Sequence, residues 1–235
     1  MGKFNLLFLR NLSILSPLLP ILVFCFFRFN WKQKLKWVIF VLLVIGVIVD
    51  TTCENLAHKS IPTIWFINLY TLLEGLFVLL FFFLLFKIKR NLKLAAIGCS
   101  LIFLTLWLGR NILLGKIHNY DYLSQGVEFI FFFFFCLAYF FQKATVSNTE
   151  FIYSTYEFWI VSALLIYSAG TFFSFFIPID THETKIDTDA FEYISRIGNI
   201  FKNILITIAF FVNNKPSSNN IKNRNSIYYM NDLKD

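Results

Sequence analysis

The sequence predicts an all-α fold, a polytopic membrane protein built as a seven-transmembrane-helix bundle, and three observations carry that expectation. Apolar residues make up 57% of the 235 positions while charged residues reach only 15%, a balance too greasy for a soluble domain. Aromatics account for 20%, and the phenylalanine runs at 81–83 and 131–135 would associate in water unless they faced lipid or a protein interior. Apolar stretches of about 17–25 residues, the length that crosses a bilayer as a helix, recur along the chain.

The spans follow in order. Leu12–Phe29 is the first; Lys3 and Arg10 ahead of it resemble the start of a signal peptide, but no small-residue cleavage site follows. Bulky Phe24 before Cys25 also disfavours a lipoprotein, so the segment is expected to be retained. Leu35–Thr51 is set off by Asn30, Thr63–Phe86 by Pro62, Leu94–Leu114 by Asn91 and Tyr122–Phe141 by Asn119. Tyr156–Ile177 lies between Asn148 and Pro178, and Ala190–Val212 closes the set. Residues 1–11 form a short outer amino-terminal segment, 12–212 the bundle, and 213–235 a cytoplasmic tail. Rich in Asn, Ser and Lys, with Pro216, that tail has too little apolar surface to order itself. No fixed-period repeat is present.

Orientation follows from Lys and Arg, which concentrate in short cytoplasmic loops. One side, the connections after the first, third and fifth spans with the adjoining span ends (Arg28 and Lys36 among them) and the tail, holds 13 of them; the opposite side holds 6, and Arg196 and Lys202 lie within the last span. The amino terminus is therefore expected outside and the carboxyl terminus inside. The acidic Pro178–Asp189 loop agrees with an outer position.

Several classes of function are disfavoured. The net charge of +7 is scattered between apolar runs rather than gathered on one face, which argues against nucleic acid. Cys25, Cys99 and Cys136 fall in apolar segments and only Cys53 nears a segment end, so no disulfide is expected. His58, His118 and His182 lie in loops or span ends on the outer side. Asp50, Glu54 and His58 at i, i+4, i+8 could add zinc ligands, but the paired-histidine spacings of membrane hydrolases are absent. No nucleophile elbow or phosphate-binding loop occurs. Neither metal nor cofactor is expected. A retinal protein would need Lys202 as Schiff base and Glu74 as counter-ion, and only the helix count favours that analogy.

Ionisable groups within the membrane are the best lead to function, because each costs at least about 2.5–3.5 kcal/mol to insert. Glu74, Glu128, Glu192, Arg196 and Lys202 qualify, with Arg110 at the end of the fourth span. In the last span Glu192, Arg196, Asn199 and Asn203 recur at spacings of four, three and four, one helical face that must point inward. At about 1.5 Å per residue, Glu128 and Arg196 share a depth of about 9 Å, and Glu74 and Lys202 one of about 17–18 Å. Opposite charges are thus expected to pair at two levels, with Asn68, Gln125 and Asn199 between or beside them and Arg110 approaching from the outer end. In the sixth span Ala163, Tyr167, Gly170 and Ser174 form a narrow face of mostly small residues for close helix packing, from which Tyr167 could reach the cluster.

Asn68-x-Tyr70-x-x-x-Glu74, Gly126-Val127-Glu128, Phe158-Trp159 through Tyr167-Ser168-x-Gly170, and Asn199-x-x-x-Asn203 together resemble a group of small, uncharacterised bacterial seven-helix membrane proteins. The resemblance implies a recurring polar site in the bundle, the bacterial inner membrane as location, and sensor-like partnership with signalling kinases; it implies no reaction. The expected binding set is Asn68, Tyr70, Glu74, Arg110, Gln125, Glu128, Tyr167, Arg196, Asn199, Lys202 and Asn203. Glue between helices is the bland alternative for these groups. The leading functional expectation is a non-enzymatic sensor with an outward-facing pocket for a small ligand or ion. A transporter, or an intramembrane enzyme acting on lipid, are the other expectations.

Overall fold

The computed structural model describes residues 2–86, 89–145, 152–176 and 185–213, with side chains described for these except 2–7, 152, 173–176 and 185–192. Among them no strand occurs. The helices are α1 (Gly2–Leu15), α2 (Leu18–Phe26), α3 (Lys34–His58), α4 (Ile64–Leu85), α5 (Arg90–Leu108), α6 (Tyr122–Thr145), α7 (Tyr156–Phe176) and α8 (Lys185–Phe211). A wider π turn, Gly109–Leu113, continues α5. Among the described residues six stretches are long and apolar enough to cross a membrane: Phe8–Phe26, Lys34–His58, Ile64–Leu85, Arg90–Leu113, Tyr122–Thr145 and Tyr193–Phe211. α7 packs between α6 and α8, and its 21 residues rise about 31 Å.

The first span differs from its expected limits: helix is present from Gly2, ahead of the expected Leu12, and α2 ends at Phe26 rather than Phe29. Residues Arg28–Lys32 form a 3-10 turn. Between α1 and α2 the chain breaks at Ser16–Pro17, because Pro17 has no N–H to continue the ladder. The tail beyond 213 and the acidic loop at 177–184 lie outside the described residues, as does the Glu192 side chain.

Helix ends carry their own signals. α3 stops where Ser60 takes a left-handed φ of 57° two residues before Pro62, which cannot continue a helix. The π turn ends at Gly115, whose φ of 63° suits a residue without Cβ. α6 starts from Asp121, whose Oδ1 accepts the Ser124 N–H at 3.2 Å, an N-cap that satisfies one of the helix's orphan donors.

Helices neighbour one another in chain order from α3 through α8, and α1 and α2 return to pack on α8 and α3, closing the ring, while α4 also touches α6. Between lipid-like surroundings and an apolar core no hydrophobic force separates helices, so close packing must hold them. Gly75 supplies one such contact: a Cβ there would stand 2.4 Å from the Phe103 ring. Gly170 lies on the α7 side of the contact with α8, where a Cβ would meet the Ile194 carbonyl and the Gly198 Cα at 3.9 and 4.0 Å, ordinary contact distances. One half of the bundle is filled by Phe24, Phe81, Phe82, Phe132, Phe135 and Phe210, all buried, with Phe82 and Phe135 stacked at 5.3 Å.

Lys36 breaks the apolar pattern of that half. Counted with the basic residues of the cytoplasmic side although it is the second residue of the Leu35–Thr51 span, it is completely buried. Its Nζ donates to Asn30 Oδ1 at 2.8 Å and to the Val212 carbonyl at 2.7 Å, and it lies 4.9 and 4.8 Å from the ring centroids of Phe29 and Tyr156. A cation thereby meets the negative end of α8 and two aromatic faces, which offset its desolvation.

Candidate functional site

The polar residues fall into two groups, separated by α4. On the α5–α6 side they form a staple. The π turn widens the end of α5 so that Arg110 Nε lies 3.0 Å from Asp121 Oδ1 and Asn111 Nδ2 donates to Asp121 Oδ2 at 2.6 Å. Asn68 on α4 donates to Asn111 Oδ1 at 3.3 Å and to the carbonyls of Ile117 and Asn119 at 2.9 and 2.8 Å. Its own carbonyl accepts from Trp107 Nε1 at 2.9 Å, and Gln125 Nε2 donates to Thr71 Oγ1 at 3.1 Å. Nearly every group here is consumed by a neighbour. Three expected binding residues, Asn68, Arg110 and Gln125, therefore bind the start of α4, the end of α5 and the start of α6 together, and they do not line the cavity described next.

That cavity opens between α1, α3, α4, α7 and α8. A vestibule of about 480 Å³ leads to a deeper pocket of about 40 Å³, and Asp50, Tyr70 and Asn199 line both. Arg10 and Glu54 pair at 3.1 Å on the rim, 41% and 30% exposed. Arg196 and Tyr167 line the vestibule; Glu74, Lys202 and Asn203 line the deep pocket. Lys202 Nζ lies 3.9 Å from Glu74 Oε1 and 3.8 Å from the centre of the Tyr167 ring, a cation held by a carboxylate and an aromatic face at once. Tyr70 fits because Gly46 opposite has no Cβ; one there would stand 3.2 Å from the tyrosine oxygen. Tyr120, from the connection ahead of α6, completes the aromatic lining. Burial pushes its hydroxyl above the ordinary tyrosine range, partly offset by a hydrogen bond from Gln125, so it stays protonated in mildly alkaline solution.

α8 presents its polar face to the break between α1 and α2. Asn199 Nδ2 donates to Ser13 Oγ at 3.0 Å and Asn203 Nδ2 to Ser16 Oγ at 2.7 Å. The expected pairing of Glu74 with Lys202 is present; that of Glu128 with Arg196 is not. Glu128 is buried, with its Oε1 lacking any hydrogen-bond partner, and the charges it feels most are those of Glu74 and Lys202. Depth alone misled: α7 stands between α6 and α8, so residues at one level on those two helices face different neighbours. Arg110 in turn is taken by Asp121.

Of the expected set, Tyr70, Glu74, Tyr167, Arg196, Asn199, Lys202 and Asn203 meet in the cavity, with Glu128 beside it. Asp50 is the main residue that the sequence signals in another role. It stands with Glu54 in an i, i+4 pair that suggests metal ligation, yet among the described residues no three His, Cys, Asp or Glu side chains are placed to hold a metal ion. The sequence places Asp50 near the end of the Leu35–Thr51 span on the face it shares with Glu54 and His58, and only the packing of α3 against α1 and α4 shows that this face lines the cavity. Comparison with family models, curated proteins and solved structures finds no match to this chain.

Proposed function

We propose that this chain is a seven-helix protein of the bacterial inner membrane, amino terminus outside and carboxyl terminus in the cytoplasm, that serves as a non-enzymatic sensor for a small ligand. The observation that carries this reading is the two-chambered polar cavity, ending on a buried ion pair and backed by closely packed phenylalanines. A volume of about 480 Å³ lies within the range of small-molecule sites, about 300–1,000 Å³. Polar residues not consumed by the α4–α5–α6 staple collect there, which favours binding over cohesion alone. Resemblance of the motifs to sensor-like proteins adds a signalling partner on the cytoplasmic side.

A transporter is the second reading, favoured by the shared lining of the two chambers, which extends polar surface toward the middle of α8. Against it stands the layer of buried phenylalanines, Phe24, Phe81, Phe82, Phe132, Phe135 and Phe210, that fills one half of the described bundle. Mass spectrometry of small molecules co-purifying with wild type and with Glu74→Gln tests the sensor reading: a species present in the first and depleted in the second supports it. Identical profiles, with no small molecule raising the unfolding temperature, would count against it. Flux of that species into proteoliposomes would establish transport instead.

A further inference from the structure

The cavity's charges and hydrogen bonds, taken separately, point to the same kind of occupant. Charge comes first. Arg10 and Glu54 neutralise each other on the rim. Deeper in, Asp50, Glu74 and Glu128 all stand within the field of Lys202, and Asp50 also feels Arg196. Among the described carboxylates that line the cavity, Glu54 has Arg10 and Glu74 has Lys202, while Asp50 is without an ion-pair partner, in a place where uncompensated charge is costly.

Hydrogen bonding is counted independently of charge. Among the described residues, Asn203 Oδ1, 1% exposed on the wall of the deep pocket, is an acceptor without a donor, and so is Glu128 Oε1 beside it at 2% exposure. Asp50, lining both chambers, is engaged in neither a hydrogen bond nor an ion pair among the described residues. Among the described residues of the deep-pocket lining Lys202 is the one cation, and it lies against Glu74 and the Tyr167 ring. A group that donates and is positive would satisfy both Asp50 and the Asn203 acceptor.

Aromatic and apolar lining indicates what that positive group is attached to. Tyr167 already holds one ammonium over its ring, and Tyr70 and Tyr120 carry similar surface outward past Asp50. Ile14, Val49 and Ile67 line the vestibule beside them, a wall suited to hydrocarbon rather than to a hydrated metal ion. We propose that the cavity takes a small organic amine, its single ammonium group held at Asp50 between the two chambers and its apolar body resting in the vestibule. This rests on the ligand-binding reading above and names the ligand's chemistry.

The test uses the detergent-purified full chain and four probes at matched ionic strength: n-butylammonium chloride, 1-butanol, sodium butyrate and sodium chloride against potassium chloride. Butylammonium at about ten times its dissociation constant is expected to raise the unfolding temperature by about 3 °C, and the others to leave it unchanged. Asp50→Asn should weaken the butylammonium response at least about tenfold, while Asp50→Glu, which keeps the charge, retains it; the second variant covers a failure of the first to fold. Butyrate or butanol raising the midpoint where butylammonium does not would overturn the amine while leaving a ligand cavity standing. A rise specific to sodium would replace the amine with an inorganic ion. A butylammonium effect equal in wild type and Asp50→Asn would remove the assigned seat. If no probe acts and the co-purifying species lost from Glu74→Gln lacks a basic nitrogen, the amine falls alone; if no species is lost either, both readings fall.

Discussion

Gly75 admits the Phe103 ring against the α4 backbone, and it is the position least able to accept a side chain. Gly75→Ala is expected to lower stability by about 1–3 kcal/mol through overpacking, and Phe103→Leu in the same chain to recover part of the loss, as read from unfolding midpoints of the purified variants. Lys36→Met tests the opposite kind of residue. Removing the ammonium leaves Asn30 Oδ1 and the Val212 carbonyl without their donor, at a cost of about 1–3 kcal/mol for buried groups left unsatisfied; an unchanged midpoint would show that water replaces it. These two positions also show where single residues are legible. Glu74, Tyr167 and Lys202 could be brought together on paper because their helical depths agree and all three side chains are long. Lys36 could not, since hydropathy treats a lysine at a span's edge as part of a loop, and only the fold reveals the carbonyl at the far end of the chain that it reaches.

At the scale of elements, interruptions in helices place the polar groups. The π turn at Gly109–Leu113 sets Arg110 and Asn111 against the cap of α6, and the break at Ser16–Pro17 offers serine hydroxyls to α8. Asp121, 1% exposed, serves as cap, as ion partner and as acceptor for Asn111, so its removal is felt in two helices. Arg110→Met is expected to cost about 2 kcal/mol, less than a fully buried pair because the guanidinium is partly exposed. Adding Asp121→Asn should cost less than the sum of the singles, a non-additivity measurable by a double-mutant cycle; strict additivity would dissolve the staple into independent contacts. Prolines and asparagines announced the connections, whereas the π turn left no mark in the sequence: it follows from the pull of Asp121, Asn68 and the following loop on Asn111. Equal depth on α6 and α8 likewise said nothing about the helix standing between them.

For the whole molecule, the helical class and most spans were legible because long apolar runs leave backbone groups few alternatives to helix. Orientation is the global property still open to direct measurement. The excess of basic residues after the first, third and fifth spans leads us to expect cytoplasmic reporter activity from a fusion at Asp235 and periplasmic activity from one in the Pro178–Asp189 connection; exchange of the two results would reverse the cavity's exposure. Burial of Lys36 removes one residue from the thirteen expected on the cytoplasmic side, and the bias survives at twelve to six. α8 finally deserves a mechanical description. Lys202 and Val212 are ten residues apart, about 15 Å along one rigid rod, with a two-walled grip at one end and the Lys36 socket at the other. Rotation of that rod about its axis would change the contacts of Lys202 and Asn203 at one end and move the Val212 carbonyl held by Lys36 at the other, so a torque applied in the cavity would be felt at the Asn30, Phe29 and Tyr156 contacts of that lysine.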